Sequence, residues 1–292
     1  MLLPKFDFYE PLNMEEACQV MSGLGSRAKL LAGGTDLIVN MKRGTLSPGH
    51  VVSLSRINDL KGVTFTKGRI RIGACVTAAE LCESEEIKTL FRALQQGASD
   101  LGSPLIRNLA TIAGNLVSAR PAADLPPPLM AYDAKVVLMK ESGEREIPLE
   151  DFFTGPGETM IEPDEIVKEI LVEKPRDCSG AGYIKLGVRK ALEISLVNVA
   201  AFVSLDDPDG AIQSARVVLG AVAPTPMRAH SAEKVLLGEK PGEALFVRAG
   251  EAAAEDSKPI DDFRAGAEYR RAMVQVLTRR TLDLALNEAR SR

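Results

Sequence analysis

The stretch Lys29-Leu30-Leu31-Ala32-Gly33-Gly34-Thr35-Asp36-Leu37 carries an apolar run into paired glycines and then into two polar side chains. Glycines lack a Cβ, so their backbone N–H groups can turn toward a ligand at close range. Leu37, Ile38, Val39 and Met41 then read as a short helix. A helix opening at Thr35 or Asp36 adds free N–H groups and the positive end of its dipole. That is the chemistry of a phosphate cradle, although Gly-Gly ahead of a helix is also an ordinary tight turn. A second loop of the same kind follows downstream, Leu109-Ala110-Thr111-Ile112-Ala113-Gly114-Asn115-Leu116. Two such loops can close on a pyrophosphate from opposite sides. Thr35, Thr111 and Asn115 supply neutral donors and backbone N–H groups the rest, so no Arg or Lys is needed. Asp36, an acid beside that anion, is expected to turn away and cap its helix.

Composition removes several alternatives. A net charge of −4 and a pI near 5.5, with no basic run, argue against nucleic-acid binding. Trp is absent and aromatics are 4% of the chain, which leaves little for stacking bases. Arg270-Arg271 and Arg279-Arg280 have the spacing of a solvated helix face. The N-terminus lacks the charged and apolar regions of a signal peptide, and no apolar run is long enough to cross a bilayer, so a soluble, cytoplasmic protein is expected. Cys18, Cys75, Cys82 and Cys178 are scattered without a C-x-x-C pair, which points to idle thiols rather than metal ligands. His50 and His230 are the only histidines, too few for a multi-histidine site, and both read as structural or exposed rather than catalytic.

The elements that must position the loops can be read in chain order. A strand spans about Phe6 to Tyr9, and Asn13 with Glu16 opens a helix through Leu24. The run Gly23-Leu24-Gly25-Ser26-Arg27-Ala28 matches G-x-G-x-x-A, but it follows a helix and precedes a strand, the reverse of a dinucleotide fingerprint. Strands are expected over 28–31 and 50–54, with a hairpin over 63–66 and 69–72 turning at Lys67-Gly68. Thr77 and Glu80 form a capping box, and Ser84 caps a longer helix on which Ile87, Leu90, Phe91 and Leu94 share a face. The prolines at 121 and 126–128 impose an extended or turning path, in which Asp124 reads on spacing alone as a turn cap. Strands over 135–139 and 165–172 precede a boundary near 175–179. Strands over 183–186, 200–205 and 215–221 and helices over 231–237, 242–256 and 269–289 complete the chain. The texture is α+β, with no clean βαβ series.

These residues resemble a known family. Leu31-Ala32-Gly33-Gly34-Thr35-Asp36-Leu37, Thr111-Ile112-Ala113-Gly114-Asn115 and the following Ser118-Ala119-Arg120-Pro121-Ala122-Ala123-Asp124-Leu125 are similar to the FAD-binding (medium) subunits of the xanthine dehydrogenase and carbon monoxide dehydrogenase group of molybdenum hydroxylases. Tyr183-Ile184-Lys185-Leu186-Gly187-Val188-Arg189 and Tyr269-Arg270-Arg271 are similar to the second domain of that group, and the resemblance covers essentially the whole chain. It implies a two-lobed PCMH-type FAD-binding domain over 1–176. A smaller α+β domain over 177–292 would carry a three-stranded antiparallel sheet and helices. Both loops would hold the FAD pyrophosphate, the first through Leu30 to Leu37 and the second through Thr111 to Asn115. By the same resemblance Leu101 lies beside the cofactor, Asp124 becomes an FAD contact, and Lys185 and Ile194 lie near the flavin ring.

The resemblance also implies partners: a large subunit with molybdenum cofactor, and a small subunit with [2Fe–2S] clusters that passes electrons to this chain's FAD for exchange with NAD, a quinone or another carrier. No cysteine lies between Cys82 and Cys178, so the extra [4Fe–4S] cluster of some members is not expected. Thr35 and Asp36 stand where related flavoproteins carry a linking His, so non-covalent FAD is expected. Two other readings remain open. One is a stand-alone FAD oxidoreductase with Tyr183, Lys185 or Glu193 handling protons; the other is a nucleotide-binding assembly subunit without catalysis.

Overall fold

Short apolar strands alternating with helices at the N-terminus build a small parallel sheet. In the computed structural model, which describes residues 2–66, 68–189 and 192–292, the strands Asp7–Tyr9, His50–Ser53 and Ala28–Leu31 lie side by side in that order, both pairs parallel. The helices Met14–Leu24 and Leu37–Arg43 make the crossovers that parallel pairing requires. The three strands were expected, but their assembly into a compact parallel βαβ unit was not, because which strands pair, and in which sense, depends on contacts between stretches distant in sequence. Asn13 caps the first helix as expected, accepting from the Glu16 N–H at 2.9 Å.

The next sheet is antiparallel throughout, in the order Val63–Thr66, Arg69–Gly73, Ile166–Glu173, Lys135–Lys140, Gly143–Pro148. The expected hairpin pairs Thr66 with Arg69, and Lys67 lies outside the described residues. The last strand, Gly-Glu-Arg-Glu-Ile-Pro, went unread because its mostly solvated side chains carry no apolar alternation. Ser84 does not open one long helix. The chain breaks at Phe91 (φ −133°, ψ 51°) into Glu85–Leu90 and Arg92–Asp100. Burial explains the break: the Phe91 ring packs edge-on against Tyr132 at 5.2 Å, and the Tyr132 hydroxyl accepts the Ala93 N–H. The prolines at 126–128 do not extend the chain either. They form the first turn of the helix Pro126–Ala131, where their missing N–H groups cost nothing.

The C-terminal sheet has four antiparallel strands rather than three: Ser179–Leu186, Val197–Leu205, Ile212–Gly220 and Met227–Arg228. The fourth is two residues long, too short to alternate, and is recognisable only by its pairing with Val218 and Leu219. Both faces of this sheet are buried. Val197, Val199, Ala201 and Val203 share a core with the helices His230–Leu236, Glu243–Asp256 and Ala267–Ser291, whereas Ala200 and Phe202 join the core of the N-terminal half. The last helix lies directly on the strand backbone: a Cβ at Gly180 would meet the Ala285 carbonyl oxygen at 2.3 Å. Arg270 is not on a solvated face. It is 3% exposed, donates to the Leu196 and Ala221 carbonyls and pairs with Asp262 at 2.7 Å, holding the start of that helix to the sheet. No described helix is long and apolar enough to cross a membrane.

Candidate functional site

The first glycine loop leaves the carboxyl end of the parallel strand Ala28–Leu31, the position at which open α/β units place ligands. The second runs into the helix Ile112–Val117. They face a shared cavity of about 540 Å³. Gly33 is the point of contact: a Cβ there would lie 1.7 Å from the Leu109 carbonyl oxygen, so only glycine permits the approach. Gly34 adopts φ +73°, the left-handed turn that starts the helix.

The two loops differ in what they leave free. The N–H groups of Gly33, Gly34, Thr35 and Asp36 have no backbone acceptor among the described residues. In the second loop the N–H groups from Ile112 to Asn115 are consumed: Ile112 donates to Val76, Ala113 to Ala74 and Asn115 to the Thr111 carbonyl, while Gly114 donates to Thr111 Oγ1 at 3.1 Å. What remains there is the Thr111 N–H, which has no backbone acceptor among the described residues, the Thr111 hydroxyl proton and Asn115 Nδ2, since Asn115 Oδ1 accepts the Leu125 N–H at 3.3 Å. Two amides of the second loop, those of Ile112 and Ala113, are thus spent on docking against Val76 and Ala74, beside the bridge between Thr77 and Thr111. Asp36 does not cap its helix. Its backbone is helical (φ −103°, ψ −54°), which denies the side chain the extended geometry a cap needs, and the Gly34 and Asp36 carbonyls close the first turn instead.

Most of the residues named from sequence line the cavity: Leu30, Ala32, Gly33, Gly34, Thr35, Asp36 and Leu37 from the first loop, Leu101, and Thr111, Ala113, Gly114 and Asn115 from the second. Leu31 pairs in the sheet with Ser53, and Ile112 is wholly buried in the core. Asp124 and Lys185 bond to each other away from this wall, and Ile194 is 56% exposed. Sequence reading missed Asn40, Leu46, Cys75, Glu165, Ile166 and Val167 on the wall. No local signal marks them, because a strand from a distant stretch delivers the last three. Burial pushes the Cys75 thiol up to about 11, which keeps it a neutral S–H at the cavity surface. His50 sits with Asp7 and Tyr9, and His230 with Glu150 and Glu233, both off the wall.

Glu165 is the buried acid of the wall. Burial pushes its carboxyl up, but two bonds from Arg145 at 2.6 and 2.7 Å and the Glu162 N–H at 2.8 Å outweigh this and hold it below its ordinary 4.5. A lowered folded-state value means stability that is present above pH 4.5 and lost as pH falls through the folded value. Glu165→Gln is therefore expected to flatten the acid limb of the unfolding curve below pH 4.5, measured as melting temperature against pH. An unchanged acid limb would remove Glu165 from this role.

Away from the loops, Asn40, Ser118 and Glu165 the wall is apolar, through Leu46, Leu54, Leu101, Ile106 and Ile161, and no Lys or Arg lines it among the described residues. Neutral donors gathered at one contact point within an apolar cleft fit an extended ligand with a diphosphate and a large flat ring.

Comparison with known proteins agrees. Residues 4–175 match the FAD binding domain in molybdopterin dehydrogenase, and residues 182–285 the CO dehydrogenase flavoprotein C-terminal domain. The chain belongs to the FAD-binding medium subunits of the xanthine dehydrogenase and carbon monoxide dehydrogenase family of molybdenum hydroxylases. It is 32% identical over 265 residues to the xanthine dehydrogenase FAD-binding subunit of Escherichia coli O157:H7, covering 90% of each chain. It is 31% identical over 285 residues to the carbon monoxide dehydrogenase medium chain of Hydrogenophaga pseudoflava, covering 98% of each. The solved carbon monoxide dehydrogenase from the same organism, in a form lacking the Mo-pyranopterin moiety, superposes with a TM-score of 0.94 over 99% of both chains. This member of the family is thus a flavoprotein subunit of a xanthine dehydrogenase-type oxidoreductase with an FAD-binding domain, and medium chains of this kind work with partner subunits.

Proposed function

We propose that the chain is the electron-transfer subunit of a molybdenum hydroxylase, passing electrons between the [2Fe–2S] clusters of a small partner subunit and an external acceptor such as NAD or a quinone. A large partner carries the molybdenum cofactor and completes a hetero-oligomer. The observation that carries this reading is the single cavity wall built by both glycine loops, with Gly33 against Leu109. Bound FAD supplies reversible electron exchange, and the chain holds and orients it. The N–H groups of Gly33 to Asp36, with Thr111 and Asn115, would hold the pyrophosphate, and the apolar wall around Leu101 and Ile106 would exclude water from the ring. Binding is non-covalent in this proposal, since neither histidine lines the cavity. All four cysteines are free thiols, which supports a cytoplasmic setting.

The division into a flavin domain over 1–176 and a C-terminal domain over 177–292 is supported by the sheets, since the strand Ser179–Leu186 opens the last of them. The residues a stand-alone oxidoreductase would use are otherwise engaged: Tyr183 and Lys185 bond Asp124, and Glu193 pairs with Arg189 at 2.7 Å.

An absorption spectrum of the purified chain before and after adding FAD, beside Gly114→Trp, tests the proposal. Gly114 is exposed on the cavity rim, so an indole there is expected to abolish flavin uptake while the chain stays folded. Flavin bands released on denaturation and absent from the variant would support the site. A folded wild type that takes up no FAD would reject it.

A further inference from the structure

The strand Ser179–Leu186 is an edge of the four-stranded sheet, bonded on one side to Val197–Leu205. Its register runs without a bulge from end to end, so alternate residues turn their N–H and C=O groups away from the sheet. Ala181 sets the parity. Its N–H leaves the sheet and donates to Glu288 Oε2 of the last helix at 2.8 Å. The Ala181 carbonyl therefore points outward, and so do both backbone groups of Tyr183, two positions on. These three groups have no hydrogen-bond partner among the described residues, although Tyr183 is 3% exposed. Backbone groups taken out of water are nearly always paired, so an unpaired rung on a buried residue marks a missing neighbour.

The groups face a slot of about 440 Å³ between two helices. Ala267–Ser291 supplies Leu284 and Glu288 to one wall, and Arg92–Asp100 supplies Arg92 and Ala93 to the other. Both ends of the rung are closed. At one, Glu288, 9% exposed and held by Arg292 at 2.6 Å, takes the Ala181 N–H as the carbonyl of a neighbouring strand would. At the other, Lys185 Nζ donates to the Asp100 carbonyl at 2.9 Å and brings the helix down onto the strand. Tyr183 lies open between them. The mouth is cationic, because Arg92 is exposed and makes no ion pair among the described residues, whereas the Glu288 charge is met by Arg292.

We propose that the slot takes an extended acidic segment of another subunit, which adds to the edge strand at Tyr183. The incoming residue accepts the Tyr183 N–H and returns its own N–H to the Tyr183 carbonyl, the exchange an antiparallel rung makes. A carboxylate on the segment pairs with Arg92 at the mouth. The slot is separate from the cavity between the glycine loops, and the inference does not depend on what fills that cavity.

The test uses the full chain and a fluorescein-labelled pentapeptide of alternating valine and aspartate, whose β-branched residues favour an extended backbone. Fluorescence anisotropy reads binding, and residue-resolved amide hydrogen exchange reads the place. The wild type is expected to bind, with exchange of the Tyr183 amide slowed about tenfold or more at saturation and that of Gly182 and Ile184, already bonded in the sheet, unchanged. Arg92→Glu is expected to weaken binding about tenfold and to prefer the same peptide with lysine for aspartate. Leu284→Arg, at a position 47% exposed, puts a long side chain into the slot and is expected to abolish binding. Thermal unfolding checks both variants, and exposed Arg92 keeps the test open should Leu284→Arg not fold. A peptide methylated at its amide nitrogens that binds as tightly as the parent would show recognition without strand addition and overturn the inference. No binding to the wild type, or protection elsewhere than at Tyr183, would overturn it too.

Discussion

Gly33→Ala is expected to leave a folded protein with little or no flavin, its FAD affinity lowered by about 10- to 100-fold. The new methyl group would sit 1.7 Å from the Leu109 carbonyl oxygen and 2.6 Å from its carbon, atoms of backbone that no rotamer change can move. Leu109 is tied in turn by its N–H to Ile106, and Ala110 by its carbonyl to the Ala78 N–H, so the second loop cannot retreat without losing those bonds. Overpacking of this kind costs about 1–3 kcal/mol, and here it falls on the contact that sets the separation of the loops. Gly114→Ala is the control. Its Cβ would meet only the Thr111 hydroxyl, at 2.8 Å, which disturbs one donor but no backbone. Flavin content per chain and FAD titration of both variants would decide the matter. Wild-type affinity in Gly33→Ala would show that the loop contact does not build the site.

The second large effect concerns stability. Asp124→Ala is expected to cost about 3–5 kcal/mol of unfolding free energy, because it strands a buried lysine beside a single carbonyl. Lys185→Met is expected to cost less. Burial already pushes the Asp124 carboxyl above its ordinary 3.8 against the pull of Lys185, so without the lysine it can take up a proton and keep its bonds to Tyr183 and Ser195. A raised folded-state value also fixes the direction of the pH dependence. The stability contributed by this carboxyl is fully present below pH 3.8 and is lost as pH rises through the folded value, so Lys185→Met should gain stability relative to wild type as pH falls. The double variant Asp124→Ala/Lys185→Met should recover part of the single loss, since it leaves no unpaired charge. Urea unfolding across pH measures all three. Strict additivity would show that the pair is not coupled.

What was legible from the chain was local. Asn13, Thr77 and Ser84 announce their helices because a capping side chain bonds an N–H three residues away. The strands Ala28–Leu31 and Lys135–Lys140, and the glycine loops with their flanking residues, are marked by apolar runs and by residues that only a turn requires. Those signals, and the resemblance they carry, were enough to name the family and twelve residues of the cavity wall. Elements of two residues, a polar edge strand, and a helix broken by burial of Phe91 were not legible, because each is decided by what lies across from it.

The site divides in the same way. Sequence by itself determined that two glycine-bearing loops exist and that neither carries a Lys or Arg between Leu30 and Leu37 or between Thr111 and Asn115. Only the tertiary structure decided that the first loop keeps its amides free while the second spends those of Ile112 and Ala113 on Val76 and Ala74. It also decided that Asp124 closes on Tyr183, Lys185 and Ser195, 59 to 71 positions away. A residue's type states which bonds it can make, whereas which bond it does make depends on the partners that folding brings within 3 Å or so.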